Sequence, residues 1–315
     1  MSGSRSTRQR IAQPEVLVLG GGGLLGEVWM SAVLSGLEEE AAVDSRACAS
    51  FIGTSAGSIV AAALAAGVRP RARLGRLAEE RAPSQAELAG GPSQLTRTLR
   101  ALLTLGATTA APLASAALGS RATTAAGALL RRELLARVPT GRRSLDQLGV
   151  AVERLGVHWD GRLQIAAVEL ESGRRVMFGS AGAPRVPVSS AVQASCAIPG
   201  VFRPVRAGDR TYIDGGVWSP TNMDAAKVTR GAHVLCLNPT GSIRPSPRAP
   251  AGALGTVSRS IAAAEALVLR RRGAAVRIIN PDERSRRAMG LNLLDPRPRA
   301  AVIAAGLEQG RRLAG

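Results

Sequence analysis

Apolar residues first gather at positions 15–19 (EVLVL), a short run that stops at four consecutive glycines and gives way to a helical pattern over residues 27–40. A run of that length closed by glycine reads as a buried strand, so strand, glycine turn and helix follow one another. Residues 49–52 repeat the arrangement, with a tight turn at 53–57 and an alanine-rich helix to residue 66. Two successive units of this kind predict an α/β fold with a mainly parallel sheet.

From residue 69 to 143 the pattern is helical. Within it residues 101–120 hold no charge, a length able to cross a bilayer, but Gly106, Pro112 and five Ser or Thr residues interrupt the run. Helices that lie over a site or rest on a membrane surface are the better expectation. Strand character returns at 162–169 and 175–178 around Ser172-Gly173, which predicts a hairpin. Apolar runs at 211–213, 234–237 and 275–279 complete the sheet, residues 298–313 read as a closing helix, and 245–250 as a surface loop. The expected organisation is a flexible tail at 1–13 and one domain over 14–315, with a helical, lid-like insertion at about 69–143.

Composition sharpens this picture. Hydrophobic residues make up 45% of the chain and aromatics 2%, so the core is built from Ala, Val, Leu and Ile, and Trp29, Trp159 and Trp218 are expected to join it. The net charge is +18, and Lys227 is the only lysine among 41 basic residues. Part of that excess reflects codon bias toward arginine; the remainder favours contact with an anionic membrane surface or nucleic acid. With three Trp, one Tyr and three Phe there is little material for base stacking, so no nucleic-acid partner is expected. Cys48, Cys196 and Cys236 are far apart and form no C-x-x-C pair, which with an N-terminus lacking an apolar core predicts a reduced, cytoplasmic protein.

Gly53-Thr54-Ser55-Ala56-Gly57 fits G-x-S-x-G between an apolar strand and a helix. A serine forced into so sharp a turn meets neighbouring backbone at close range, so Gly53 and Gly57 are the small residues it needs, and the helix N-terminus favours developing negative charge. A serine nucleophile requires a base. His158 sits in a polar connection and His233 opens an apolar run; His233 follows Asp214, so a Ser–His–Asp order stays open. The other candidate is Asp214, at a strand end backed by Gly215 and Gly216, where partial burial raises a carboxylate's basicity. Gly21, Gly22 and Gly23 form a loop whose backbone N–H groups suit an oxyanion. Gly21, Gly23 and Gly26 also satisfy G-x-G-x-x-G, a dinucleotide-binding fingerprint for which Asp44 has the right spacing, although it precedes the next strand instead of ending it.

Taken in order, the glycine loop, G-x-S-x-G and Asp-Gly-Gly about 160 residues later resemble the patatin-like phospholipase family. Residues 194–202 (ASCAIPGVF) and 214–222 (DGGVWSPTN) resemble its segments around the aspartate, with weaker likeness at 290–296 (GLNLLDP). The resemblance implies a three-layer α/β/α fold and a lipid ester hydrolase, with Ser55 and Asp214 as a catalytic dyad, an acyl-enzyme intermediate, Gly21, Gly22 and Gly23 at the oxyanion hole, and no metal or cofactor. Two positions depart from the pattern: Gly20 stands where aspartate is common, and Leu25 where the family usually has arginine or lysine. Loss of that cation opens a second reading, a catalytically weak lipid-binding or regulatory protein with the same fold.

Overall fold

In the computed structural model, which describes residues 11–79, 132–133, 135–138, 140–243 and 252–315, eight strands form one mixed sheet. Five run parallel in the spatial order β3 (Leu163–Glu169), β2 (Ser50–Thr54), β1 (Val16–Leu19), β7 (His233–Leu237), β8 (Ala275–Ile279). Antiparallel strands β4 (Arg175–Phe178), β5 (Val205–Ala207) and β6 (Arg210–Asp214) complete the β3 side. β3 and β4 are the expected hairpin, and the parallel strands are the expected apolar runs.

Alternation along β1 shows why the sheet needs cover on both faces. Leu17 and Leu19 point into a large core with Leu163, Ile165, Leu235 and Leu237, while Val16 and Val18 point into a second core with Ile52, Val234 and Cys236. Each fully buried Leu or Val contributes about 1.5–3 kcal/mol, so neither face is left to water. The first face carries α1 (Gly23–Glu40), α2 (Ala56–Ala65), α3 (Pro70–Glu79), α4 (Asp146–Glu153) and α5 (Val188–Cys196), and also α8 (Arg299–Ala314), which lies along α1. The second face is covered by α6 (Gly252–Arg271), through Ala266 and Leu269, and by the turn Met223–Ala225. Short α7 (Glu283–Met289) precedes α8 and is capped by Asp282, whose side chain accepts the Ser285 N–H at 2.8 Å. The result is three layers, helices on either side of a sheet.

Trp29 is wholly buried and its Nε1 donates to Gln309 Oε1 (2.9 Å) across the α1–α8 contact. Trp159 and Trp218 are half-buried. At the N-terminus Ile11 is buried, and Gln13 exchanges hydrogen bonds with the Asp44 backbone (2.9 and 3.0 Å). Of the expected insertion, α3 packs on α1, whereas residues 101–120 and the loop at 245–250 lie outside the described residues. No helix among the described residues is long and apolar enough to cross a membrane.

The register around β3 brings two strand ends together. Ala166 pairs with Thr54 and Met177, and Ala167 pairs with Val176 and Asp214. β4 occupies one edge of β3 continuously from Ile165 to Val168, so β2 and β6 must share the other edge. They run toward each other along it, and their C-terminal ends meet.

Candidate active site

Ser55 follows the last residue of β2 and has φ 51 and ψ −125, a strained positive-φ conformation outside the left-handed helical region, of a kind that costs a non-glycine residue about 1–3 kcal/mol. Three bonds hold it there: its N–H donates to Ser195 Oγ (2.8 Å), and its carbonyl accepts from Ser58 N–H (2.8 Å) and Ser58 Oγ (2.7 Å). Close approach explains the flanking glycines. A Cβ on Gly57 would fall on the Leu19 carbonyl, and one on Gly53 would lie 2.5 Å from Ser58 Cα.

Asp214 ends β6 and is 5% exposed, against 6% for Ser55. Its N–H donates to Ala197 O (3.0 Å), while its Oδ1 accepts the Gly216 N–H (2.7 Å). Burial pushes the carboxyl up to about 7; the hydrogen bond from Gly216 N–H and the nearby Ser55 hydroxyl pull it part of the way back. A carboxyl so placed exchanges a proton near neutrality.

The glycine loop follows β1, the strand beside β2, and a Cβ on Gly21 would lie 3.5 Å from Ser55 Cβ. Its donors are not equivalent. Gly20 N–H goes to Leu237 O (2.9 Å) and Gly21 N–H to Pro220 O (2.8 Å), because both still continue the line of β1. Gly22 and Gly23, at the start of α1, have N–H groups that meet no protein acceptor among the described residues. Gly23 has φ 58, and a Cβ there would come 2.9 Å from Leu293 O and Leu294 Cδ2. Leu25 is fully buried in the main core and gives its N–H to Leu293 O (2.9 Å).

The other candidates lie elsewhere. His158 is exposed, and His233 is the exposed first residue of β7, level with Glu15 and at the opposite end of the sheet from Ser55. Asp44 caps the turn Ser45–Ala47 and pairs with Arg46 (2.8 Å) before β2 begins, so the dinucleotide fingerprint lacks its acid at a strand's C-terminal end. Among the described residues no group of three or more His, Cys, Asp or Glu is placed to hold a metal ion.

A buried polar network that sequence patterns do not reveal lies beneath the site. Asn222, in left-handed conformation (φ 49, ψ 28), has three acceptors in reach of the two hydrogens on Nδ2, Ser219 O (2.7 Å), Thr54 Oγ1 (3.1 Å) and Gly215 O (3.3 Å), so one hydrogen is shared. Its Oδ1 accepts from Arg175 (3.3 Å), which pairs with Asp224 at 2.5 and 2.9 Å and lies 5.4 Å over the Trp218 ring. Glu265 accepts from Thr221 Oγ1 and from Met223 N–H (2.9 Å). Burial, with the Asp224 carboxylate nearby, pushes Glu265 up to about 8; against its own burial, Asp224 is held low by Arg175. A lone acid in the alanine-rich α6 was the available signal for Glu265.

A sequence model described as patatin-like phospholipase matches residues 17–227, which include the glycine loop, Ser55, Asp214 and Asn222. No curated protein matches the chain. Among solved structures the chain is similar to VipD from Legionella pneumophila, at 14% identity and a TM-score of 0.42 over 97% of this chain and 67% of that one. It is also similar to the type III effector protein ExoU, at 17% identity and a TM-score of 0.39 over 97% of this chain and 53% of ExoU. The chain thus spans about half the length of ExoU.

Proposed function

Since the chain belongs to the patatin-like phospholipase family, a family of lipid ester hydrolases, we propose that it cleaves lipid carboxylic esters through a Ser55–Asp214 dyad. The observation that carries this reading is the meeting of β2 and β6 on one edge of β3, which sets a strained serine beside a buried aspartate whose proton affinity lies near neutrality.

In the first half-reaction Asp214 takes the Ser55 hydroxyl proton as Oγ attacks the ester carbonyl carbon. Gly22 and Gly23 N–H groups stabilise the oxyanion, with Gly21 backing the loop. Collapse breaks the ester C–O bond, Asp214 returns the proton to the leaving alcohol, and an acyl-Ser55 remains. In the second half-reaction Asp214 deprotonates a water that attacks the acyl carbon, and Ser55 recovers its proton as the fatty acid departs. No metal or cofactor enters these steps.

Three buried, unpaired cysteines support a reducing, cytoplasmic setting, and the net charge of +18 supports peripheral contact with anionic lipid surfaces. The test is a fluorophosphonate probe with the adduct mapped by mass spectrometry. Modification of Ser55 that disappears in Asp214→Asn is the expected result. Folded wild-type protein left unmodified at Ser55, with anionic vesicles present, would overturn the reading.

A further inference from the structure

Sheet hydrogen bonds leave one gap in this site. β2 and β6 are each laddered to β3, which sets Thr54 and Asp214 opposite neighbouring residues, but they meet end to end and share no ladder, so no sheet bond ties the residue before Ser55 directly to the residue after Asp214. Asn222 spans that gap. Its Nδ2 reaches Thr54 Oγ1 on one side and Gly215 O on the other, and the side chain is fully buried.

The amide has one sensible orientation. Three acceptors surround Nδ2, while the Arg175 guanidinium faces Oδ1, so a flipped amide would set N–H against a cation and oxygen against two carbonyls. Arg175 is itself fixed by Asp224 and Trp218, and the Asn222 backbone by a bond from its N–H to Ser219 Oγ (3.0 Å). The left-handed backbone is one that asparagine tolerates better than other residues with a Cβ.

We propose that Asn222 is a positioning residue that sets the separation of Ser55 and Asp214 by bolting Thr54 to Gly215. The inference rests on the reading of Ser55 and Asp214 as the reacting pair. It predicts a specific kind of defect: the chemical step slows because the pair drifts apart, while lipid binding and overall fold are kept, since misplacement by about 1 Å costs on the order of 100-fold in rate.

Three variants, with Asn222→Asp as a control, test it. Asn222→Gly removes the amide and keeps the left-handed backbone; Thr54→Val removes one acceptor at constant shape; the third combines them. Each is measured for kcat and KM on a soluble p-nitrophenyl ester, for the rate of fluorophosphonate labelling at Ser55, and for thermal unfolding. Asn222→Gly is expected to lower kcat and labelling roughly 10- to 100-fold with KM within about twofold. Thr54→Val falls less, and the double variant is no worse than Asn222→Gly, because both changes remove the same bond. Asn222→Asp gives no rescue, having no N–H to donate. Folded Asn222→Gly with wild-type kcat and labelling overturns the proposal; if that variant does not fold, Thr54→Val at the full wild-type rate overturns it. Wild-type protein that never labels at Ser55 sinks the dyad itself, an outcome distinct from a labelled wild type with an indifferent Asn222.

Discussion

Ser195 Oγ accepts the Ser55 N–H at 2.8 Å and donates its own proton to Ala166 O at 2.6 Å. One hydroxyl at the end of α5 thereby pins the serine turn to the strand on which Thr54 and Asp214 converge. Ser195→Ala would leave a buried donor and a buried acceptor unsatisfied together, at a cost of about 1–3 kcal/mol for each stranded group. Urea unfolding should show a loss of that order, accompanied by a lower turnover of p-nitrophenyl esters. An unchanged midpoint and rate would show that the elbow holds itself.

The pH dependence of turnover follows from Asp214. In the proposed dyad its carboxyl, pushed up to about 7 by burial, must be deprotonated to take the Ser55 proton, so kcat/KM should fall about tenfold for each pH unit below 7 and level off above it. Initial rates on a non-ionising ester between pH 5 and 9 check this. A profile flat down to pH 5 would mean that Asp214 is not the base.

The same group makes stability depend on pH in the opposite sense. Between the ordinary carboxylate value of 3.8 and about 7 the folded protein holds a proton that the unfolded chain releases, so this site's contribution is full below pH 4 and is lost as pH rises through 7. Asp214→Asn keeps the shape and removes the buried charge. It should be more stable than wild type at pH 8 by up to about 4 kcal/mol and no different at pH 3.5, in paired denaturant titrations. An inactive variant that is also less stable at pH 8 would contradict the raised carboxyl.

Gly23 joins two demands, a positive φ and contact with Leu293, that alanine cannot meet together. Gly23→Ala should move the start of α1, misdirect the Gly22 and Gly23 N–H groups, and reduce kcat by about 100-fold, the loss typical of one oxyanion donor. Circular dichroism should remain that of a folded protein. Full activity in this variant would place the oxyanion elsewhere.

The strand–turn–helix units at Gly20–Gly23 and Ser55 were legible because each is local: apolar run, glycines and helix lie within a few residues. The strand end at Asp214 was legible from the apolar run and the two glycines around it, while the choice of Asp214 as partner to Ser55 came from the resemblance of the ordered motifs. The approach of β2 and β6 along β3 was not legible, since it depends on β3 pairing with one segment about 110 residues away and another about 45 residues away, which leaves no periodic trace. Nor does sequence distinguish Gly21 from Gly22 and Gly23. The difference lies in the direction of an N–H, and three glycines look alike until Pro220 is seen against the first of them. Strand β5 is three residues long, too short for alternation to register.

The matched family segment ends at residue 227, yet Leu237 O receives the Gly20 N–H, Leu293 O receives the Leu25 N–H, and β7 pairs along the whole of β1. The stretch that motif comparison identifies is therefore smaller than the stretch that must fold for the glycine loop to keep its shape. Residues 228–315 supply that loop mainly with carbonyls and a strand edge, which many side chains would provide equally well. A fragment cut at the motif boundary would carry both members of the proposed dyad and expose the bare flank of its central strand.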